Sequence, residues 1–310
     1  MNLIAELNNV VQSKVERLYF EEFGSDVEVY IKREDLLHPY ISGNKYRKLK
    51  YNLIEAYNKG YTQLLTFGGA FSNHIHATAY AAQMYGFKLI VVVRGEELEN
   101  QIANNPTLQF VANQGGVIKF VDRETYRNKN DIQFINKLRN KYGDFYLIPE
   151  GGTNELAIRG CQEILTPEDK KFDYLCTAVG TGGTISGVIN TARQHQKVIG
   201  VSVLKGDFLN NEIKKLTSKG NWELLTEYHF GGYAKINEEL VAFINKFYKQ
   251  TQIRIDPVYV GKLCYAVMNQ INKGYFEKGT KIMLIHTGGL QGIEGINNKL
   301  KQKGKTLINV

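Results

Sequence analysis

The chain has 310 residues, 43% of them hydrophobic and 23% charged, with a formal net charge of +8. That supplies apolar material for one or two globular units, and the absence of any 18-residue apolar run argues against a membrane helix, so a soluble protein is expected. The 39 basic residues are scattered among 31 acidic ones rather than gathered into tails, which speaks against nucleic acid as the partner.

The N-terminal twenty residues read as an amphipathic segment without the basic start and small-residue cleavage site of a secretory signal, so a cytoplasmic protein is expected. Three widely spaced cysteines, Cys161, Cys176 and Cys264, suit neither a disulfide framework nor a metal site and read as buried thiols.

Apolar runs rich in β-branched residues follow in chain order: 27–32, 63–67, 88–94, 117–121, 145–149, 174–179, 198–204 and 281–285. Each reads as a strand. Between them lie amphipathic stretches such as 45–60, 72–86 and 237–250, whose apolar positions recur at helical period. This alternation predicts an α/β fold of parallel sheets flanked by helices, with ligands at the carboxyl ends of the strands. Three of those strand ends are rich in small polar residues: FGGAFSNH at 67–74, VGTGGTISG at 179–187 and HTGGLQG at 286–292.

The backbone N–H groups of Gly180, Thr181, Gly182, Gly183 and Thr184 would converge where a helix begins, a setting that stabilises an anion such as a phosphate monoester. The segment lacks the lysine of a P-loop and the spacing of a dinucleotide fingerprint. A plain strand-to-helix turn is the competing explanation. SGNKYRK at 42–48 puts Lys45 at the positive end of a helix dipole, where it loses its proton more easily and gains the neutral amine that imine chemistry needs, although by position alone a solvent-exposed helix residue is the better reading. For its neighbours Arg47, Lys48 and Lys50 the expectation is the solvated face of that helix. Ser72 suits a helix N-cap. His74 and His76, two residues apart on a helix, point to different sides and predict no metal.

In combination, KREDLLHPYISGNKYRK, FSNH and GTGGT resemble the fold-type II pyridoxal-phosphate (PLP) enzymes, those of tryptophan synthase β-like architecture. More narrowly they resemble the 1-aminocyclopropane-1-carboxylate (ACC) deaminase and D-cysteine desulfhydrase family. The resemblance runs from about residue 30 to 292 and implies PLP as cofactor, a small amino acid as substrate and a homodimer. It implies a large PLP-binding domain of residues 1–47 and 150–310 with a small α/β domain, 48–149, inserted. Lys45 would carry the cofactor as a Schiff base and the Gly180–Thr184 loop its phosphate. Ser72 would be nucleophile or proton carrier, and Asn73 would bond the ring 3′-hydroxyl. His74 would touch the substrate carboxylate. FGGYAK and DPVYVGK resemble the segments that bring Tyr233 and Tyr259 to the substrate as active-site phenols.

Two positions bear on the reaction. ACC deaminases carry a glutamate after the second tyrosine, where this chain has Val260. Desulfhydrases carry a threonine that bonds the pyridine nitrogen, and Thr287 matches it. The pair implies D-cysteine desulfhydrase-type β-elimination to pyruvate, ammonia and sulfide, ahead of ACC ring opening. Phe71 replaces a glutamine usual before Ser-Asn in this family and implies an altered pocket wall; the role of His76 stays open. Two rivals are a cysteine-synthase-like or dehydratase-like enzyme and a non-enzymatic nucleotide- or RNA-binding α/β protein.

Overall fold

The structure, a computed structural model, describes residues 3–8 and 11–310, so residues 1, 2, 9 and 10 of the expected amphipathic start lie outside the described residues. The strands are β1 (Val15–Arg17), β2 (Glu28–Lys32), β3 (Gln63–Gly68), β4 (Lys88–Arg94), β5 (Val117–Val121), β6 (Tyr146–Ile148), β7 (Tyr174–Val179), β8 (Lys197–Ser202), β9 (Trp222–Leu225) and β10 (Lys281–Ile285). The helices are α1 (Leu3–Asn8), α2 (Asn44–Asn58), α3 (Asn73–Met84), α4 (Pro106–Asn113), α5 (Arg123–Arg127), α6 (Ile132–Tyr142), α7 (Glu155–Gln162), α8 (Gly183–Thr191), α9 (Phe208–Leu216), α10 (Glu238–Thr251), α11 (Val260–Asn272) and α12 (Gly292–Gln302).

Two sheets result. One runs β1-β2-β10-β7-β8-β9, parallel except for β1 on its edge; the other runs β5-β4-β3-β6 and is parallel throughout. Strands such as β4 read as unbroken apolar runs because helices cover both faces of the sheet, and its five inner residues are all buried. Every expected strand forms. The strands β1 and β9 are additional, short, largely half-buried and located at the two edges of the larger sheet, so they carry little apolar pattern.

The strands of the smaller sheet all lie between residues 63 and 148. Its core includes Leu64, Val91 and Ile148 together with Tyr46, Leu49 and Leu53 of α2 and Leu3 and Leu7 of α1. Helix α2 therefore passes residue 47 without a break. The three cysteines are free and buried. Among the described residues, no helix is long and apolar enough to cross a membrane.

The expectation of a solvated basic face on α2 is overturned, because Arg47, Lys48 and Lys50 are each at most 2% exposed. Helix α2 packs on α7 so closely that a methyl group at Gly160 would lie 1.9 Å from the Arg47 carbonyl oxygen. Burial of the cations is compensated by partners distant in sequence. The Arg47 guanidinium donates to both Glu34 oxygens at 2.8 and 3.0 Å. Lys50 donates to both oxygens of Glu163 at 2.8 Å. Such pairs fit the rule that buried charge is matched or not tolerated.

Candidate active site

The carboxyl ends of β3, β6 and β7 open onto one cavity of about 470 Å³ between the two sheets. It is lined by Lys45, Lys48, Ser72, Asn73, His74, Thr181, Gly182, Thr184 and Tyr259, among others. A larger groove of about 1560 Å³, between α4 and α12, is walled by Phe71, exposed amides and lysines. It holds no cluster of titratable groups with altered protonation, so the chemistry is placed in the smaller cavity.

Lys45 sits in the first turn of α2, where its Nζ donates to Asn44 Oδ1 at 3.1 Å. Burial, with the Lys48 charge beside it, pushes its pKa down to about 7, so much of it is a neutral amine near neutrality. Asn44 in turn donates from Nδ2 to Thr184 Oγ1 at 2.8 Å, tying α2 to the start of α8.

The loop before α8 follows β7, and Gly182 takes a left-handed conformation at the helix N-cap, φ +85°. This turns the first N–H groups of α8 toward the cavity, where they have no intrahelical acceptors. Lys48 stands beside the same loop. Its Nζ donates to Gly151 O at 3.0 Å, Thr153 Oγ1 at 3.0 Å and Thr181 Oγ1 at 3.4 Å. All three acceptors are neutral. A buried ammonium with neutral acceptors, beside free N–H groups and hydroxyls, forms a site that fits a phosphate dianion. An amine poised for carbonyl chemistry one helical turn away completes what PLP requires.

Ser72 caps α3, its Oγ accepting the His74 N–H at 3.2 Å, which leaves its own O–H free to donate. Asn73 accepts at Oδ1 from Gln291 Nε2 at 2.7 Å. The His74 ring bonds Thr66 Oγ1 at 2.7 Å, and Thr66 donates its own proton to Ile148 O at 2.9 Å, so His74 Nε2 carries the hydrogen. Burial and the charges of Lys45 and Lys48 hold its pKa well below the usual range, and the ring is neutral. His76 stacks on Phe110 with centroids 3.8 Å apart, away from the cavity lining. Burial pushes its pKa down to about 4.

Tyr259 lies over Gly180, where a methyl group would come within 3.4 Å of its hydroxyl. Tyr233 packs edge-on against it with centroids 6.2 Å apart, though it lines the neighbouring groove rather than the cavity. Burial raises both phenols, and the Tyr233 hydroxyl raises Tyr259 further. Val260 and Thr287 are not in the lining. Val260 is fully buried in the core of the larger sheet, with its N–H given to Asp256 Oδ1 at 2.9 Å. Thr287 accepts the Asn44 N–H at its carbonyl oxygen, 3.3 Å away.

Sequence reasoning missed Asn44, Lys48 and Gln291. Asn44 belongs to the same Gly-Asn-Lys turn and Gln291 to HTGGLQG, so both were within motifs already singled out. Lys48 had no local signal, because its acceptors lie 103 to 133 residues away.

A Pyrococcus horikoshii protein provisionally named 1-aminocyclopropane-1-carboxylate deaminase is 32% identical, over 90% of this chain and 89% of its own. An Arabidopsis thaliana protein named bifunctional D-cysteine desulfhydrase/1-aminocyclopropane-1-carboxylate deaminase, mitochondrial, is 31% identical over 86% of this chain and 73% of its own. A crystal structure described as that of an ACC deaminase homologue superposes with a TM-score of 0.80 and 29% identity, covering 97% of this chain and 99% of that one. The family model for pyridoxal-phosphate dependent enzymes matches residues 12–288. The chain therefore belongs to the pyridoxal-phosphate dependent enzymes, in their fold-type II architecture, with PLP as its cofactor.

Proposed function

We propose that this enzyme is a lyase that removes the β-substituent of a small amino acid, a thiol such as that of D-cysteine, and that Lys45 carries the cofactor. The observation that carries the reading is the makeup of the cavity wall: two lysines, Lys45 and Lys48, with hydroxyls, carboxamides and a neutral histidine facing inward. Asp256, a buried acid whose charge reaches Lys45, has its oxygens taken by the N–H groups of Val258, Tyr259 and Val260 at 2.9 Å. A wall without a free carboxylate suits expulsion of a good leaving group better than opening of a carbon ring, which demands a stronger electron sink.

When bound, PLP supplies an aldehyde that links to an amine and a conjugated ring that accepts the electron pair left at the substrate α-carbon. The chain does the rest. The Gly180–Thr184 backbone, Thr181, Thr184 and Lys48 would hold the phosphate, and Asn73 would bond the ring hydroxyl. The incoming amine would displace Lys45 Nζ, and Lys45 would take its place again as the unsaturated amine leaves. Between these exchanges the neutral Nζ takes the α-proton, directly or through the Ser72 hydroxyl. The Cα–H pair becomes the new Cα–Cβ π bond as the Cβ–S bond breaks. A proton from Tyr259, held in place by Tyr233, meets the departing thiolate. Water converts the unsaturated amine to pyruvate and ammonia. We read residues 48–149 as the small unit and 1–47 with 150–310 as the large one, with this cavity between them.

Borohydride treatment of the yellow protein should fix the cofactor on Lys45, and a colourless protein that takes up no PLP would sink the reading. D-cysteine, L-cysteine, β-chloro-D-alanine and ACC, scored for pyruvate against 2-oxobutyrate, test the reaction. Consumption of ACC alone would refute elimination. The second reading, ring opening of ACC, is favoured by the relatives named for it and by the Arabidopsis protein named for both activities.

A further inference from the structure

The Ser72–Asn73 turn is gripped by a helix that belongs to the other sheet. Helix α12 starts one residue after Gln291, and Gln291 Nε2 donates to Asn73 Oδ1 at 2.7 Å. A carboxamide has one acceptor end and one donor end. With Oδ1 taken by Gln291, Asn73 has its NH₂ group left for the cavity that it lines. Gly289 keeps that end clear: its φ is +98°, and a methyl group there would lie 2.6 Å from Asn73 Nδ2 and 3.2 Å from Asp256 Cγ. Phe71, on the other side of Ser72, packs on the same helix. Its ring would meet a methyl group at Gly295 at 3.1 Å, and Lys299 Nζ stands 3.8 Å from the ring centroid.

We propose that Gln291 is a positioning residue for the active site: it fixes the Asn73 carboxamide so that the NH₂ group donates to the 3′-hydroxyl oxygen of the cofactor, ortho to the ring carbon that bears the aldehyde. The proposal rests on Lys45 being the cofactor lysine. A donor to that oxygen withdraws charge from the atom that shares a proton with Lys45 Nζ, so the proton leaves at lower pH than it otherwise would. Gln291 thereby sets a protonation state without touching substrate or cofactor.

The test is a pH titration of the visible absorbance of the holoenzyme, which reads that proton directly and without turnover. In Gln291→Glu the side chain can only accept, so Asn73 turns over and presents Oδ1 to the ring oxygen. The midpoint should rise by about one pH unit, a tenfold change in the proton equilibrium. Gln291→Met, which only releases Asn73, should raise it less. In an Asn73→Ala background neither substitution should move the midpoint. Yellow, folded Gln291→Glu and Gln291→Met proteins that keep the wild-type midpoint would overturn the proposal, as would shifts that persist without Asn73. If Gln291→Glu does not fold, the Gln291→Met comparison decides. A wild-type protein that stays colourless with PLP would instead bring down the Lys45 reading, and this one with it.

Discussion

Lys48 Nζ donates to Thr153 Oγ1 at 3.0 Å, a bond that joins helix α2 to the segment just after β6 and leaves the buried amine beside the Gly180–Thr184 loop. Replacing Lys48 by Met removes a charged donor worth about 2 kcal/mol toward an anion, roughly a thirtyfold loss of affinity. The expected result is that much weaker PLP binding by the apoenzyme in an absorbance titration, with pyridoxal lacking the phosphate bound equally by both proteins. Equal loss for both ligands would show that Lys48 serves only packing.

The amine of Lys45, pushed down to about 7 by burial, makes two measurements depend on pH. The rate of PLP uptake should rise through about pH 7 and then level off, instead of climbing toward the range of an ordinary lysine. Apoenzyme stability follows the same proton. Between the folded value of about 7 and the unfolded 10.5 the unfolded chain binds more protons, so stability increases with pH in that window. The contribution is at most about 1.4 kcal/mol per pH unit. Lys45→Met should remove this slope from urea unfolding curves recorded across the window, and should be more stable than wild type below it.

Tyr259 as the proton donor to sulfur predicts a dependence on the leaving group. Tyr259→Phe should lose about a hundredfold in kcat with D-cysteine, in the range of general acid catalysis. With β-chloro-D-alanine the defect should shrink, because chloride departs without a proton. Equal defects on both substrates would remove Tyr259 from that step and leave it a substrate-positioning group.

Arg47 and Glu34 form a fully enclosed pair, at 1% and 0% exposure of their side chains. Arg47→Met strands the carboxylate, at a cost of about 3–5 kcal/mol. Converting both residues to apolar ones should recover much of that loss. Melting curves of the single and double variants decide whether the pair stabilises the fold or merely offsets its own burial.

Legibility in the sequence followed physical range. The inner strands were readable because a parallel sheet covered on both faces needs uninterrupted apolar runs such as LIVVV of β4. Ser72 and the Gly182 turn were readable because caps and left-handed turns are decided by neighbours within three residues. Arg47, Lys48 and Lys50 were misread for the opposite reason: their acceptors stand 13 to 133 residues away, on Glu34, on the segments after β6 and β7, and at the end of α7, and only the folded packing of α2 among them brings them together. Val260 is buried in the core although its neighbour Tyr259 lines the cavity, because α11 starts there and successive residues diverge by about 100°. The Gln291–Asn73 bond spans 218 residues and two sheets, and no local pattern announces it.

The contact between Gly160 and the Arg47 carbonyl has a consequence for how such a sequence can drift. Any side chain at position 160 would have to lever α2 off α7, and α2 is the element whose first turn delivers Lys45. A glycine outside the cavity lining is thus coupled to the seating of Lys45: a larger residue at 160 would reach the cavity by moving α2 and not by any contact of its own.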